Sequence, residues 1–412
     1  MTHIINRRTM LKGMGAVGLT TLAGCAGLPG GAPQGRDIKL GLLMGVTGGL
    51  AALGPPIVQG AELAVKHVND AGNGFSVTTQ FEDTGTDPTQ GVSGAEALVN
   101  AGYPMICGAL SSSVTIAAAE TVCIPNGVAV CSAASTSPAI STMADNDLVF
   151  RTPPTDALQS LVLADVIKDT LGHSTASTLF LNNDYGSLLS DGFVAAFEGN
   201  GGTVQEQVSF EKQQPSYVAQ LQKALAGNPD ALLIIGYPES GVQILRDFYA
   251  DHDSSVDILV TDGLYDQDLP GKVGNDLANV TGTSPKPAGP GKEFFDTEFE
   301  AAFGAKPSVS YCGYAYDAAA VLILANAAAG SNDGAAIAAQ MRKIANPGGE
   351  VVTPQNLAEG VVMAASGKDI DYQGASSAVD FDDNGDLGAA SYEYFKWGSS
   401  GIETIETIDY SG

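Results

Sequence analysis

Two clusters of hydroxyls stand where strand-like runs turn into helix-like ones. In ICGALSSSVTIAAAE (residues 106–120), Ser111, Ser112 and Ser113 follow an apolar run and precede an alanine-rich stretch. In VCSAASTSP, Ala134, Ser135, Thr136 and Ser137 occupy the same place ahead of Pro138. A hydroxyl at such a junction caps the helix. With the free backbone N–H groups of a helix start it also holds an anion. Two such turns side by side, with no lysine or arginine among them, suit a carboxylate; each charge-assisted bond is worth about 1.5–3 kcal/mol. Later in the chain Asn182, Asn183, Asp184 and Tyr185 follow LFL, Tyr237 and Glu239 follow LIIG, and Asp262 follows ILVT. An acid buried at a strand end needs a partner. A cationic ligand group would supply one, with tyrosines packed over it or over an aliphatic chain. Asp262, followed by Gly263, reads equally as a turn residue.

These residues need elements to hold them. DIKLGLLMGV reads as a strand, and PPIVQGAELAVKHVNDAG as a helix with Ile57, Ala61, Leu63, Ala64 and Val68 at helical spacing. FSVTTQFED (strand), PTQGVSGAEALVNAG (helix), PMICGA (strand), SVTIAAAETV (helix) and GVAVCSAAS (strand) continue the alternation. A second series runs from LQSLVLADVIKDTLG to DILVTDG. RTPPTDA (151–157) separates the two, which argues for two parallel-sheet lobes joined at a hinge. In such sheets ligands bind at the carboxyl ends of strands, where the hydroxyls and acids above fall. Residues from about 291 to 345 read as helical. The chain ends in strand-like AVDF, a turn and SYEYFKW, and TSPKPAGPG (283–291) reads as a second linker.

The chain has 412 residues, 44 % hydrophobic and 16 % charged, with a net charge of −27. That supports a large core in two or three domains and leaves no basic stripe for nucleic acid. Abundant aspartate with scarce lysine suggests a protein from a salt-loving microbe; the plainer reading is an ordinary acidic surface. NRRTMLKGMGAVGLTTLAGC carries Arg7, Arg8 and Lys12, an apolar run and a small-residue site, so residues 1–24 read as an export signal. Arg-Arg-x-Met-Leu-Lys resembles a twin-arginine signal. LAGC resembles a lipobox, implying a lipid on Cys25, a tether over 25–36 and anchorage to the outer face of the cytoplasmic membrane by that lipid alone. An uncleaved anchor with a chance cysteine is the alternative. Gly13, Gly15 and Gly18 fit G-x-G-x-x-G but lie inside this signal, without a preceding strand. No C-x-x-C occurs; Cys107, Cys123 and Cys131 could include a disulfide or be buried thiols. Asp380, Asp382, Asn384 and Gly385 fit half a calcium loop, but its twelfth position is Ser391, so a tight hairpin turn is the better reading. Asn279-Val280-Thr281 is a glycosylation sequon. No nucleophile elbow, H-E-x-x-H or P-loop occurs, and His67, His173 and His252 lie in or beside helices. No enzyme activity, metal or cofactor is expected.

From about Asp37 onward the chain resembles the extracellular substrate-binding proteins of branched-chain amino-acid ABC transporters, the type I periplasmic-binding family. GLLMGVTGGLAALGPPIVQGAELAVKHVN, ICGALSSSVT, VCSAASTSP, LNNDYGSLLSDGF, IIGYPESGVQILR, LVTDG and FDDNGDL carry the likeness, in order, over most of the chain. The resemblance implies an α/β fold of two Rossmann-like lobes, parallel sheets flanked by helices, joined by a multi-crossover hinge. Lobe one would hold 37–154 and 284–375, and lobe two 155–283 and 376–412. It implies a ligand carboxylate on Ser112, Ala134, Ser135 and Thr136, and an ammonium on Asp262. Tyr185 and Tyr237 match the family's aromatics, while Leu53 stands where the family often has an aromatic against the ligand side chain. The implied ligand is an amino acid, branched-chain or similarly small, or an amide. The implied partner is an ABC permease, and the receptor a monomer. A sensor of the same fold for amides or small carboxylates, and an amide hydrolase, are the other readings.

Overall fold

The first strand opens at Asp37 and begins a regular alternation of strands and helices. The computed structural model describes residues 35–252, 255–399 and 401–411. The expected export signal over 1–24, Cys25 and most of the expected tether lie outside the described residues. The first series is β1 (Asp37–Met44), α1 (Gly54–Asp70), β2 (Ser76–Asp83), α2 (Pro88–Asn100), β3 (Met105–Gly108), α3 (Ser112–Ala118), β4 (Ala129–Ser132), α4 (Pro138–Ser141) and β5 (Val149–Arg151). Its five strands form one parallel sheet in the order β2-β1-β3-β4-β5. The second series is α5 (Asp156–Asp165), β6 (Thr175–Leu181), α6 (Asp184–Gly199), β7 (Thr203–Phe210), α7 (Val218–Ala224), β8 (Ala231–Ile235), α8 (Pro238–Asp251), β9 (Asp257–Val260), α9 (Leu269–Val273) and β10 (Val280–Pro285). Next come α10 (Lys292–Phe303), α11 (Tyr311–Ala329), α12 (Gly334–Ala345), β11 (Glu350–Val352), α13 (Leu357–Ala365), β12 (Ile370–Tyr372), β13 (Ala389–Gly398) and β14 (Gly401–Ser411). The second large sheet runs β14-β13-β10-β9-β8-β6-β7, parallel except where β13 and β14 join antiparallel. β11 and β12 form a small parallel pair.

Local chemistry fixes several helix starts. Asp87 accepts from the Thr89 and Gln90 N–H groups ahead of Pro88, Asn183 caps α6 through Gly186, and Thr155 caps α5 through Ala157. The strands β4 and β8 are buried at every position, as expected for sheets covered on both faces. α11 packs on α1, α12, α13 and the first sheet. It is buried along nearly its whole length, so its sequence shows no polar face.

Three stretches differ from expectation. Thr283, Ser284 and Pro285 are not linker but the buried end of β10, and the chain crosses to α10 after them. AVDF forms no strand: Phe381 makes a single bridge to Leu387 around a turn with Gly385 at φ +74°. SYEYFKW instead belongs to β13, between β10 and β14. β14 is an edge strand whose charges hide its pairing tendency and protect the sheet edge.

Candidate functional site

Residues that follow strand ends in both sheets line one small, nearly closed cavity of about 20 Å³. Leu50, Leu53 and Ile57, around the start of α1, make an apolar wall with Leu110. Ser112, Ala134 and Thr136 supply the polar side of the first lobe. Tyr185, Tyr237, Asp262 and Gly263 come from the second, and Tyr311 from the start of α11. Leu53, Ser112, Ala134, Thr136, Tyr185, Tyr237 and Asp262 are thus brought together. Ser135 is not among the lining residues: its hydroxyl bonds Thr115 Oγ1 (2.7 Å) and the Ala109 and Leu110 carbonyls.

The hydroxyl cluster divides its work. Ser111 makes no capping bond; its Oγ meets Tyr237 Oη at 3.1 Å across the cleft. Ser112 Oγ accepts from the Ser137 N–H (3.2 Å), tying the two turns together. Ser113 Oγ accepts from the Asp184 N–H (3.1 Å), and Ser137 Oγ donates to the Asp184 carbonyl (2.9 Å). With Lys212 and Asp87 at 3.4 Å, these contacts join the lobes. Ser132 shapes the second turn: its Oγ takes the Ser135 N–H (3.0 Å) and donates to Ala109 O (2.7 Å). Gly108, at φ +135°, allows the first turn; a Cβ there would stand 2.0 Å from the Leu43 carbonyl.

The acidic side is built differently. Asp262 Oδ1 accepts from Tyr185 Oη (3.0 Å) and Oδ2 from Tyr311 Oη (2.7 Å). Burial raises its pKa, and the hydrogen bonds from Tyr311, Gln159 and Tyr185 offset only part of that. Tyr185 and Tyr237 stack at 5.6 Å and 5°. Burial pushes the Tyr237 phenol up to about 12. Asp156, at the start of α5, is 1 % exposed, and neither carboxylate oxygen makes a well-formed hydrogen bond. Its own N–H donates to the Thr136 carbonyl (2.8 Å). Burial first and the neighbouring Asp262 second hold its pKa well above the usual carboxylate range. One turn on, Gln159 Nε2 donates to Thr283 O and Oγ1 (3.2 Å each), while its Oε1 has no partner.

Sequence reasoning missed Asp156 and Gln159. RTPPTDA looks like a junction, and an acid in a first helical turn is ordinary. Glu239 and Asn182 stand outside the cavity: Glu239 accepts from Gln213 (2.8 Å), and Asn182 donates to Glu211 (2.6 Å). Cys107, Cys123, Cys131 and Cys312 are buried, unbridged thiols, although Cys107 and Cys131 are in register on β3 and β4. Among the described residues no His, Cys, Asp and Glu grouping fits a metal ion.

The sequence profile of the periplasmic binding protein family matches residues 37–356. A Leu/Ile/Val-binding protein homolog 3 from Brucella melitensis is 26 % identical over 374 residues, covering 90 % of this chain and 94 % of its own length. The chemotactic signal transduction system substrate-binding protein BasB from Halobacterium salinarum is 28 % identical over 366 residues, covering 84 % of each. The crystal structure of a leucine-binding protein from Thermotoga maritima superposes with a TM-score of 0.77 at 24 % identity, over 90 % of this chain and 98 % of that one. With two sheets of this topology around one cleft, the chain has the type I periplasmic-binding fold and belongs to the periplasmic binding protein family.

Proposed function

We propose that the chain is an extracytoplasmic solute receptor that binds a small amino-acid zwitterion between its lobes and delivers it to an ABC permease. The observation that carries this is the two-ended cavity, with hydroxyls and backbone of the first lobe on one side and the buried Asp262 carboxylate of the second on the other. Ser112, Ala134 and Thr136 receive the carboxylate, and Ser135 shapes their turn. Asp262 receives the ammonium, and the unmet acceptors of Asp156 and Gln159 suit the same group. Leu50, Leu53, Ile57 and Leu110 fit an aliphatic side chain, branched or straight, while Tyr185 and Tyr237 cover it. A zwitterion touching both lobes binds the closed state better and so favours it. Residues 37–154 with 284–375 move against 155–283 with 376–412. Cys25 carries the lipid that holds the receptor outside the cytoplasmic membrane. The receptor binds its ligand without turnover.

The Leu/Ile/Val-binding name of the Brucella relative supports the ligand class. The chemotactic name of the Halobacterium relative favours a second reading, in which the liganded receptor engages a signal transducer. Ligand-stripped protein in high salt should show a large, saturable thermal shift with one zwitterion in a panel of amino acids, amides and carboxylates. Shifts with uncharged amides alone would remove the role given to Asp262. A flat panel would overturn the receptor reading. Loss of uptake on deletion separates transport from sensing.

A further inference from the structure

One buried ion pair next to this cavity touches the ligand turn from behind. Arg151, fully buried at the end of β5, directs Nε to Asp386 Oδ1 (2.6 Å) and Nη2 to Ser141 Oγ (2.7 Å). Its Nη1 donates to the carbonyls of Ser137 (2.8 Å) and Ser135 (3.4 Å). Ser141 Oγ donates in turn to Asp386 Oδ2 (2.6 Å), and the Arg151 N–H donates to Gly385 O (3.0 Å). Arg151 opens the crossover from β5 to α5. Asp386 lies on the crossover from β12 to β13, in the turn whose spacing imitates a calcium loop. At Gly385 a Cβ would fall 2.6 Å from Val149 O, so glycine lets this turn lie against β5. One guanidinium therefore fastens two hinge segments to each other and to the carbonyl side of the turn bearing Ala134 and Thr136. Only the five-donor fork of arginine reaches all these acceptors at once.

We propose that Arg151 and Asp386 are positioning residues that couple two hinge crossovers to the 134–137 turn and hold it oriented for the ligand's carboxylate. This rests on the ligand site proposed above. A second arginine also holds the acidic turn but does not reach the ligand turn. Arg342 donates to the Asp382 (2.7 Å) and Asp383 (3.0 Å) carbonyls, pairs with Asp147 (2.6 Å), and has no hydrogen bond to the 134–137 turn among the described residues.

The test compares the full-length chain in high salt with Asp386→Asn, Arg151→Lys and Arg342→Gln. Amide hydrogen exchange is read over residues 133–139 and 380–386, and L-leucine affinity by calorimetry. Asp386→Asn should speed exchange at 133–139 about tenfold and weaken leucine about tenfold. Arg151→Lys, which keeps the charge and loses the fork, should do the same. Should that variant not fold, the nearly isosteric Asp386→Asn carries the test. Arg342→Gln should speed exchange at 380–386 and lower the melting midpoint, with 133–139 and leucine affinity as in the parent. Unchanged exchange at 133–139 in Asp386→Asn, or one pattern for Asp386→Asn and Arg342→Gln, overturns the positioning role. Faster exchange at 133–139 in Asp386→Asn, with no leucine binding even in the parent, supports the positioning role and counts instead against leucine as ligand.

Discussion

At the scale of single residues, Asp156 and Asp262 are two buried carboxyls, neither of which forms an ion pair among the described residues. Each pKa is raised, by burial before all else. A group that holds its proton more tightly folded than unfolded adds stability that is full below its unfolded pKa and is lost as pH rises through its folded pKa. The ligand-free protein should therefore gain stability from this pair on acidification. Ligand affinity should move the other way, because an ammonium binds the ionised pair and expels its protons. Affinity should rise with pH above the usual carboxylate range until both groups are ionised, with proton release on binding seen as a calorimetric heat that depends on the buffer. Replacing Asp262 with Asn should cost about 2–5 kcal/mol of binding. Asp156→Asn should weaken binding and yet raise the melting point at neutral pH, since it removes the cost of keeping a buried carboxyl protonated there. A pH-independent affinity between pH 4 and 8 would refute the assignment of the ammonium pole. How readable this site is in the sequence depends on the same residues. Ser112, Thr136 and Asp262 announce themselves because strand-to-helix turns are visible in hydropathy and polar side chains there are few. Asp156 does not, because 46 acidic residues make one more acid at a helix start unremarked. Its meaning comes from burial, and burial is set by residues far away in the chain.

At the scale of elements, the crossovers decide how the lobes are joined, and Asp317 on α11 anchors one of them. Its Oδ1 accepts from Tyr372 Oη (2.7 Å) and the Ala375 N–H (2.8 Å); its Oδ2 accepts from the Ser376 N–H (2.7 Å) and Oγ (2.5 Å). Burial pushes its pKa from 3.8 up to about 6 against those four bonds. Its contribution is therefore full below 3.8 and lost as pH rises through about 6, a span worth about 3 kcal/mol. Asn in its place presents an amide nitrogen to donors and should lower stability by about 1–3 kcal/mol. The gap between parent and Asp317→Asn should widen from pH 7 to pH 4 in denaturant titrations; a constant gap would mean that Asp317 titrates as an ordinary carboxylate. The segments that Asp317 and Arg151 hold are the ones the sequence shows least. Regular βα units are legible because apolar periodicity repeats through α1, α2 and α8. Thr283–Pro285 looks like linker because proline and lysine come after it, although tertiary pairing with β13 makes it strand. β14 looks too polar for a strand because one side of an edge meets only water.

At the scale of the whole molecule, 46 acidic side chains face 19 basic ones. Among the described residues ten ion pairs fall within 4.0 Å, two of them through histidine and all but one with at least one exposed partner. Exposed pairs are worth about 0–1 kcal/mol each and weaken with salt. Self-repulsion also weakens with salt, and it acts in the opposite direction on stability. The sign of the salt dependence therefore tells which dominates. With most carboxylates lacking a cation, repulsion should win. The screening length falls from about 30 Å at 0.01 M to about 3 Å at 1 M, so the melting midpoint should climb through that range and level off once neighbouring carboxylates are screened. Sodium chloride and potassium chloride should act alike if screening is the cause, and sucrose at matched osmolality should not replace them. Lys212 and Asp87 give a second reading within the same titration: their contact across the cleft loosens as salt rises, so any ligand-free closure that depends on it should decline while global stability increases. A midpoint that is flat, or that falls with salt, would mean that the exposed pairs offset the net charge, and the acidic surface would then say nothing of a saline habitat.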